Sequence, residues 1–183
     1  MEKEVKKKIV VGVCGSVAAI ETPRIIREFV RNGIDVECVM TDSARKIINE
    51  NVLEWASGNK VIVELTGAVE HVRLCGIDGE ASLLLICPAT ANTISKIANG
   101  IDDTTVTTFA STALGSEIPV VVCPAMHYSI YNNPFVIQNV KKLKDEGVIF
   151  IEPKIEENKA KLNTKRVVEK VMEIIKKNED KIK

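Results

Sequence analysis

Short, continuous runs of apolar residues recur along the chain, separated by segments in which apolar residues follow helical spacing. Runs of this kind are typical of strands buried on both faces of a parallel sheet. The predicted strands are residues 8–13, 34–40, 83–87, 120–123 and 148–151, with 61–65 as a short edge strand. The predicted helices are residues 17–32, 42–48, 92–98, 104–114, 135–146 and 164–177, and residues 124–134 are predicted to be a loop.

Proline and polar residues indicate where the first helices begin. A turn at Cys14-Gly15-Ser16 leaves the first strand, and Pro23 fits the following helix best at its first position, with Thr22 as the N-cap. Thr41 or Asp42 caps the helix after the second strand. Strand, turn and helix together predict the opening of a βαβ unit.

At least five buried strands alternate with helices, which predicts an α/β fold with a mostly parallel sheet. Helices on both faces would make it a doubly wound three-layer sandwich, flavodoxin/Rossmann-like in type. The 183 residues contain no low-complexity linker and match the length of one domain. We therefore expect residues 1–183 to form a single domain.

Composition argues against several classes of protein. Twenty-five basic and 25 acidic residues give a net charge of zero, whereas binding nucleic acid by charge requires a basic face. No apolar run approaches the about 20 residues that span a bilayer, and the charged start does not resemble a signal peptide. We expect a cytoplasmic protein without a membrane partner. Five cysteines without a close C-x-x-C pair favour neither a disulfide framework nor a metal site.

The ends of the predicted strands carry small and hydroxyl side chains. In open parallel sheets, ligands bind beyond the carboxyl ends of the strands, where exposed amides and hydroxyls suit a phosphate. The residues concerned are Gly15-Ser16, Thr41–Ser43, Ala89-Thr90-Ala91-Asn92 and Ala125-Met126-His127. Tight turns and ordinary helix caps use the same residue types, so the pattern alone leaves a purely structural role open.

Four segments together carry a family resemblance: GSVAAIETP, MTDSA, PATANTISKIANGIDD and PVVVCPAMHYSIYNNP. They resemble the homo-oligomeric flavin-containing cysteine decarboxylases and, within that family, the archaeal phosphopantothenoylcysteine decarboxylases of coenzyme A biosynthesis. The similarity extends over residues 8–175, and PATANTISKIANG is its most specific part. The chain has neither a dinucleotide-binding G-x-G-x-x-G motif nor a Walker loop.

The resemblance implies FMN bound between the subunits of a homo-oligomer, a trimer or a dodecamer of trimers. The implied cofactor-binding residues are Gly15, Ser16, Val17, Thr41, Ser43, Ala89, Thr90, Ala91 and Asn92. The implied substrate-binding residues are Asn92, Ala125, Met126 and His127. The apolar helix 104–114 is a candidate subunit interface, although core packing explains it equally well.

The implied reaction converts 4′-phosphopantothenoylcysteine to 4′-phosphopantetheine. FMN oxidises the cysteinyl thiol to a thioaldehyde, the adjacent carboxylate leaves as carbon dioxide, and the hydride returns, so no net redox change results. His71 is the implied catalytic residue, in a loop-like stretch between Glu70 and Val72. A lone loop histidine is often structural, but an imidazole titrating near neutral pH can be a base or an orienting donor. A phosphopantothenoylcysteine synthetase, fused or separate, is an implied partner.

Two features depart from the family pattern. Bacterial and eukaryotic members have asparagine in a Pro-x-Met-Asn segment, where this chain has His127. An imidazole N–H can still donate to a substrate carboxylate, so we expect binding to survive with a pH dependence. Residues 152–164 take the place of a flexible flap with a cysteine among glycines, and they contain neither residue type. In this segment, Lys159 and Lys161 are either simply solvated or functional. A functional lysine would supply charge to the substrate phosphate or supply a proton.

Two other functions remain as alternatives. One is a flavin electron carrier or flavin reductase of the same fold, which would need neither His71 nor the Met126-His127 pair. The other is a relative of flavin prenyltransferases, whose glycine-rich first turn and phosphate-binding arginines are not evident in this sequence. Cys14, Cys87 and Cys123 all lie at strand ends, where a redox or iron–sulfur role competes with simple packing, which we favour.

Overall fold

The computed structural model of the protein describes residues 7–182, with side chains through residue 178. Its strands are β1 (Lys8–Val13), β2 (Asp35–Met40), β3 (Leu84–Ala89), β4 (Val120–Pro124), β5 (Met126–His127), β6 (Ile149–Phe150), β7 (Lys154–Glu156) and β8 (Lys159–Lys161). Its helices are α1 (Thr22–Arg31), α2 (Asp42–Arg45), α3 (Glu50–Ser57), α4 (Glu70–Cys75), α5 (Ala91–Ala98), α6 (Thr105–Gly115), α7 (Tyr128–Tyr131), α8 (Pro134–Asp145) and α9 (Thr164–Ile182), and a 3₁₀ helix (Val17–Glu21) precedes α1. The charged first residues and the outer limits of the predicted 1–183 domain lie outside the described residues.

Five parallel strands form the main sheet, in the order β2-β1-β3-β4-β6. β1 pairs with β2 along its whole length, and its other neighbour is β3, with Val10 opposite Leu84. This is the flavodoxin-like strand order, in which the direction of winding reverses between β1 and β3. The predicted α/β class and mostly parallel sheet are confirmed.

Helices cover both faces of this sheet, so the fold has three layers. Val11 of β1 belongs to the same buried cluster as Phe29 of α1, together with residues of α3 and α9. The neighbouring Val10 belongs to the opposite cluster with Phe109 of α6, together with residues of α4, α5 and α8. Because successive side chains of each strand are buried on opposite faces, the strands appear in the sequence as unbroken apolar runs.

A second, antiparallel sheet has the order β5-β8-β7. β7 and β8 form a hairpin whose turn residues, Glu157 and Asn158, have φ angles of 50° and 56°. Two successive residues with positive φ are characteristic of a type I′ hairpin turn. β5 pairs with β8, placing Met126 opposite Ala160. The prediction of a loop at 124–134 is therefore wrong, because these residues contain β5 and α7. The hairpin also gives regular structure to residues 152–164, the segment that takes the place of the family's flexible flap.

Several predicted boundaries are wrong. Thr22 is the first residue of α1 rather than its N-cap, because its backbone already has helical angles, with φ of −60° and ψ of −40°. Its hydroxyl donates to the Cys87 carbonyl at 3.2 Å. The predicted edge strand at 61–65 is a single bridge between Val39 and Ile62. The helix after β2 ends at Arg45, before the predicted residue 48.

The stretch around His71 is helical rather than loop-like, which corrects that prediction. The Glu70 carboxylate accepts a hydrogen bond from the Thr66 N–H at 3.0 Å and closes the turn before α4. Val69, the residue before the helix, has a φ of 45°, which is rare for a β-branched residue. α4 contains six residues, too few for apolar periodicity to reveal it.

The apolar helix predicted at 104–114 is α6, and Thr104 is its N-cap. Val106, Phe109 and Ala113 are buried against the sheet, so core packing accounts for their apolar character. Between residues 7 and 182, no helix combines the length and the apolar character needed to cross a membrane.

Candidate functional site

Hydrogen bonds hold the carboxyl ends of the central strands together. The Ser16 hydroxyl donates to the Ala125 carbonyl at 3.1 Å, which joins the exit of β1 to that of β4. The Ala125 N–H donates to the Ala89 carbonyl at 3.0 Å, and the Thr41 N–H donates to the Val13 carbonyl at 3.1 Å. The predicted site residues that follow these four strands therefore lie along one edge of the sheet.

Gly15 lies where the exits of β1 and β2 come closest. A Cβ atom on Gly15 would be 2.5 Å from the Cβ of Ser43 and 3.1 Å from its carbonyl carbon. A larger residue would therefore push the two exits apart. Thr41 caps α2, and its hydroxyl accepts a hydrogen bond from the Ala44 N–H at 3.2 Å.

The exit of β3 presents small side chains and the first turn of α5. Thr90 caps this helix by accepting a hydrogen bond from the Thr93 N–H at 3.3 Å. Ala89 is buried at the end of β3, whereas Asn92, the second residue of α5, is exposed. The Asn92 carboxamide is therefore accessible to a ligand at this edge.

A cavity of about 660 Å³ opens beside the edge. The 3₁₀ helix forms one side, the segment after β4 forms another, and β8 with the start of α9 completes it. The lining residues are Ser16, Val17, Ala18, Ile20, Glu21, Ala125, Met126, His127, Lys159, Ala160, Lys161, Leu162 and Thr164. The volume and the mainly apolar lining with a few charged groups are typical of small-molecule sites.

The cavity unites only part of the predicted site. Ser16 and Val17 line it together with residues 125–127, Lys159 and Lys161. Gly15 and the predicted cofactor residues after β2 and β3 lie along the same edge without lining it. The sequence pattern also did not indicate Glu21, Leu162 and Thr164, which line the cavity as well. The alternation in KIEENKAK around a two-residue turn was the available signal that β8 folds back over this edge.

His127 is an exposed cavity residue whose tautomer is fixed by its neighbours. The Ser129 backbone N–H donates to His127 Nδ1 at 3.2 Å, and the Ser129 hydroxyl lies 2.7 Å from the same atom. Because a backbone N–H can only donate, Nδ1 is the acceptor, and the neutral ring carries its proton on Nε2. His127 therefore caps α7 with one nitrogen and offers an N–H donor with the other.

The two hairpin lysines differ in their ion pairs. Lys161 Nζ lies 3.0 Å from Glu157 and 3.4 Å from Glu156, and the hydrogen bond to Glu157 raises the pKa of the Lys161 ammonium group. Lys159 is more exposed, and the nearest carboxylate oxygen that pairs with it within the described chain, on Glu157, is 3.9 Å away. It also lies directly opposite His127 in the antiparallel sheet. Lys159 is thus the cation better placed to attract an anionic ligand.

His71 lies apart from the cavity, on the face of the sheet covered by α6. Its ring packs edge-to-face against Phe109, with 6.4 Å between ring centroids. His71 Nδ1 is buried and has no hydrogen-bond partner among the described residues. A buried ring nitrogen without a partner is costly, so we expect a water molecule or a ligand to bond to this atom.

The five cysteines are buried free thiols. Burial raises the pKa of the Cys14 thiol to about 11, and burial together with the Cys87 side chain raises the pKa of Cys123. A thiol with a raised pKa stays protonated at neutral pH, and it is the thiolate that acts as nucleophile or metal ligand. Among residues 7–178, no group of histidine, cysteine and acidic side chains is arranged to hold a metal ion.

The chain matches a family model described as Flavoprotein over residues 1–177. It belongs to the flavoprotein family. It is 52% identical over 161 residues to the coenzyme A biosynthesis bifunctional protein CoaBC of Thermococcus kodakarensis. The aligned region covers 87% of this chain and 40% of that protein. The CoaBC protein of Methanocaldococcus jannaschii is 44% identical over 171 residues, covering 92% of this chain and 41% of the relative. This flavoprotein chain thus spans about two fifths of the length of these relatives.

A solved structure described as the FMN-dependent cysteine decarboxylase SpaF has the same fold. It superposes on this flavoprotein with a TM-score of 0.80 and 27% identity, covering 95% of this chain and 98% of the other. The resemblance that the four sequence segments carry is confirmed, as is the predicted fold class.

Substituting Gly15 by alanine is expected to disturb the edge of the sheet. The new methyl group would clash with Ser43, and such overpacking costs about 1–3 kcal/mol. We expect Gly15→Ala to lower the denaturation midpoint and to reduce the flavin retained per chain. The matched control is Gly67→Ala, because no heavy atom lies within 4 Å of a Cβ at Gly67. Equal midpoints and equal flavin content in the two variants would contradict the packing described for Gly15.

Proposed function

We propose that this flavoprotein chain binds FMN and decarboxylates 4′-phosphopantothenoylcysteine to 4′-phosphopantetheine. The observation that carries the proposal is the cavity in which the turn after β1 meets the Met126-His127 segment and the β8 lysines. The 52% identity to an archaeal CoaBC protein supports the same reaction class. The residues matched by the family model would then form the FMN-binding decarboxylase domain, consistent with the predicted 1–183 unit.

The residues present at the sheet edge fit FMN. Gly15, Ser16 and Val17 would hold the phosphate through amides and a hydroxyl, next to Thr41 and Ser43. The run Ala89-Thr90-Ala91-Asn92 would line the flavin ring, since its small side chains leave the backbone accessible. The unpaired His71 Nδ1 also fits a site that gains a further partner. Bound FMN supplies reversible two-electron oxidation of the substrate thiol, which no protein side chain here provides.

The cavity side of the site would hold the substrate. His127 Nε2–H would donate to the substrate carboxylate, and the exposed Asn92 carboxamide would face both substrate and cofactor. Lys159 and Lys161 would attract the substrate phosphate, Lys159 most directly because Lys161 is already paired with two glutamates. Apolar lining residues such as Met126 and Leu162 would exclude water around the cysteinyl group.

His71 would act as the base that accepts the thiol proton. It does not line the cavity of its own chain, so the proposal assigns FMN to the junction between subunits, where His71 of one subunit serves the cavity of another. A homo-oligomer, either a trimer or a dodecamer of trimers, is therefore part of the proposal. A phosphopantothenoylcysteine synthetase, fused as in bifunctional proteins or separate, would supply the substrate, and we place the reaction in the cytoplasm.

The direct test is to purify the protein, record its absorbance spectrum and add phosphopantothenoylcysteine under anaerobic conditions. We expect a bound flavin spectrum, release of carbon dioxide and a product with the mass of 4′-phosphopantetheine. A product lighter by two hydrogens would show that decarboxylation occurs without the final reduction. Absence of carbon dioxide, with reduction of the flavin by a nicotinamide or ferredoxin donor, would favour an electron carrier and contradict the proposal.

Replacing His127 by asparagine is expected to preserve activity and flatten its pH profile. Asparagine can cap α7 as His127 does and offers an amide donor, but it does not titrate between about pH 5 and 8 as histidines do. The measurement is kcat/KM against pH for both proteins. His127→Ala, which removes both the cap and the donor, is the control and should lose activity. An unchanged profile in His127→Asn would contradict the role assigned to the ring.

A further inference from the structure

The antiparallel sheet β5-β8-β7 covers the cavity but is joined by few backbone pairs. Its strands come from two distant stretches, the segment after β4 that carries His127 and the hairpin after β6. In the ladder between them, the paired residues are Met126 with Ala160 and His127 with Lys159. Pairing of this length is weak by itself, so other contacts must hold the hairpin over the cavity.

Two contacts outside the ladder join the same stretches. At the tip of the hairpin, the Tyr128 backbone N–H donates to the Asn158 carbonyl at 2.8 Å. At its base, the Tyr131 hydroxyl donates to Glu152 Oε2 at 2.8 Å. Tyr131 ends α7, and Glu152 lies just before β7. The second contact is therefore a side-chain connection at the point where a hinge of the hairpin would lie.

Each oxygen of the Glu152 carboxylate has its own donor. Lys144 Nζ donates to the other carboxylate oxygen, Oε1, at 2.8 Å, and Arg166 lies close enough to interact with the same carboxylate. Tyr131 is half-buried, and burial together with the Glu152 carboxylate raises the pKa of its hydroxyl, so it remains a donor. Removing the hydroxyl would leave Oε2 without its protein donor while Lys144 remains in place.

We propose that Tyr131 is a positioning residue: through Glu152 it holds the β7–β8 hairpin against the segment that carries His127. The hairpin and that segment then close over the cavity as one unit, and the position of His127 depends on the hairpin remaining in place. The effect on substrate rests on the proposed function. The coupling between Tyr131 and the hairpin is a property of the chain and does not depend on any reaction.

Limited trypsin digestion of the folded, unliganded protein tests the coupling. Tyr131→Phe removes one hydroxyl, and we expect cleavage after Lys159 and Lys161 to become about fivefold faster, which is the change expected when a typical hydrogen bond is lost. Tyr128→Phe is the matched control, because its hydroxyl, on the same short helix, bonds none of the described residues. Cleavage after Lys60, whose side chain is 91% exposed, should be equal in all three proteins. Equal hairpin cleavage in wild type and Tyr131→Phe would overturn the proposal.

Steady-state kinetics test whether the coupling reaches the site. We expect Tyr131→Phe to raise KM for phosphopantothenoylcysteine about fivefold with little change in kcat, and Tyr128→Phe to change neither. Faster hairpin cleavage with an unchanged KM would overturn the positioning role. Without decarboxylation by the wild-type protein, the proposed function fails, whereas the digestion result still decides whether Tyr131 holds the hairpin.

Discussion

β1 and β3 lie side by side in the middle of the sheet, and the chain leaves their carboxyl ends toward opposite faces. The segment after β1 packs Ala19 and Ile25 into one buried cluster, whereas α5 after β3 packs Ile94 into the other. This divergence opens a crevice at the sheet edge, where neither connection covers the strand ends. The proposed position of the ligand site follows from that topology, and the residues at the strand ends are small.

A second sheet encloses the cavity beside this crevice, where β5 and β8 contribute lining residues. β5 continues from β4 by way of Ala125, which is bonded to both Ser16 and Ala89, so the main sheet fixes where the cover begins. The β8 strand then returns from a distant part of the chain and adds its lysines. His127 has two roles in this region. One ring nitrogen caps α7, and the other is left as an N–H donor.

The strands of the main sheet could be predicted because burial on both faces leaves a continuous apolar run at each of them. The same reasoning predicts site residues at the strand ends, since ligands bind there in parallel sheets. The covering sheet could not be found in this way, because strands of two or three residues depend on tertiary pairing such as Met126 with Ala160. α4 was missed because a local turn, closed by Glu70 and Thr66, starts a helix too short to show a period. For the same reason, the separation of His71 from the cavity of its own chain was not predictable.

A crystal structure of the purified protein with its flavin is the most direct test of the proposed site. We expect the flavin phosphate at the turn formed by residues 15–17, with the ring beside residues 89–92 and His71 of a neighbouring subunit near the same cavity. A flavin bound at another edge of the sheet, or a phosphate distant from Ser16, would contradict the claim that the crevice between β1 and β3 is the functional site.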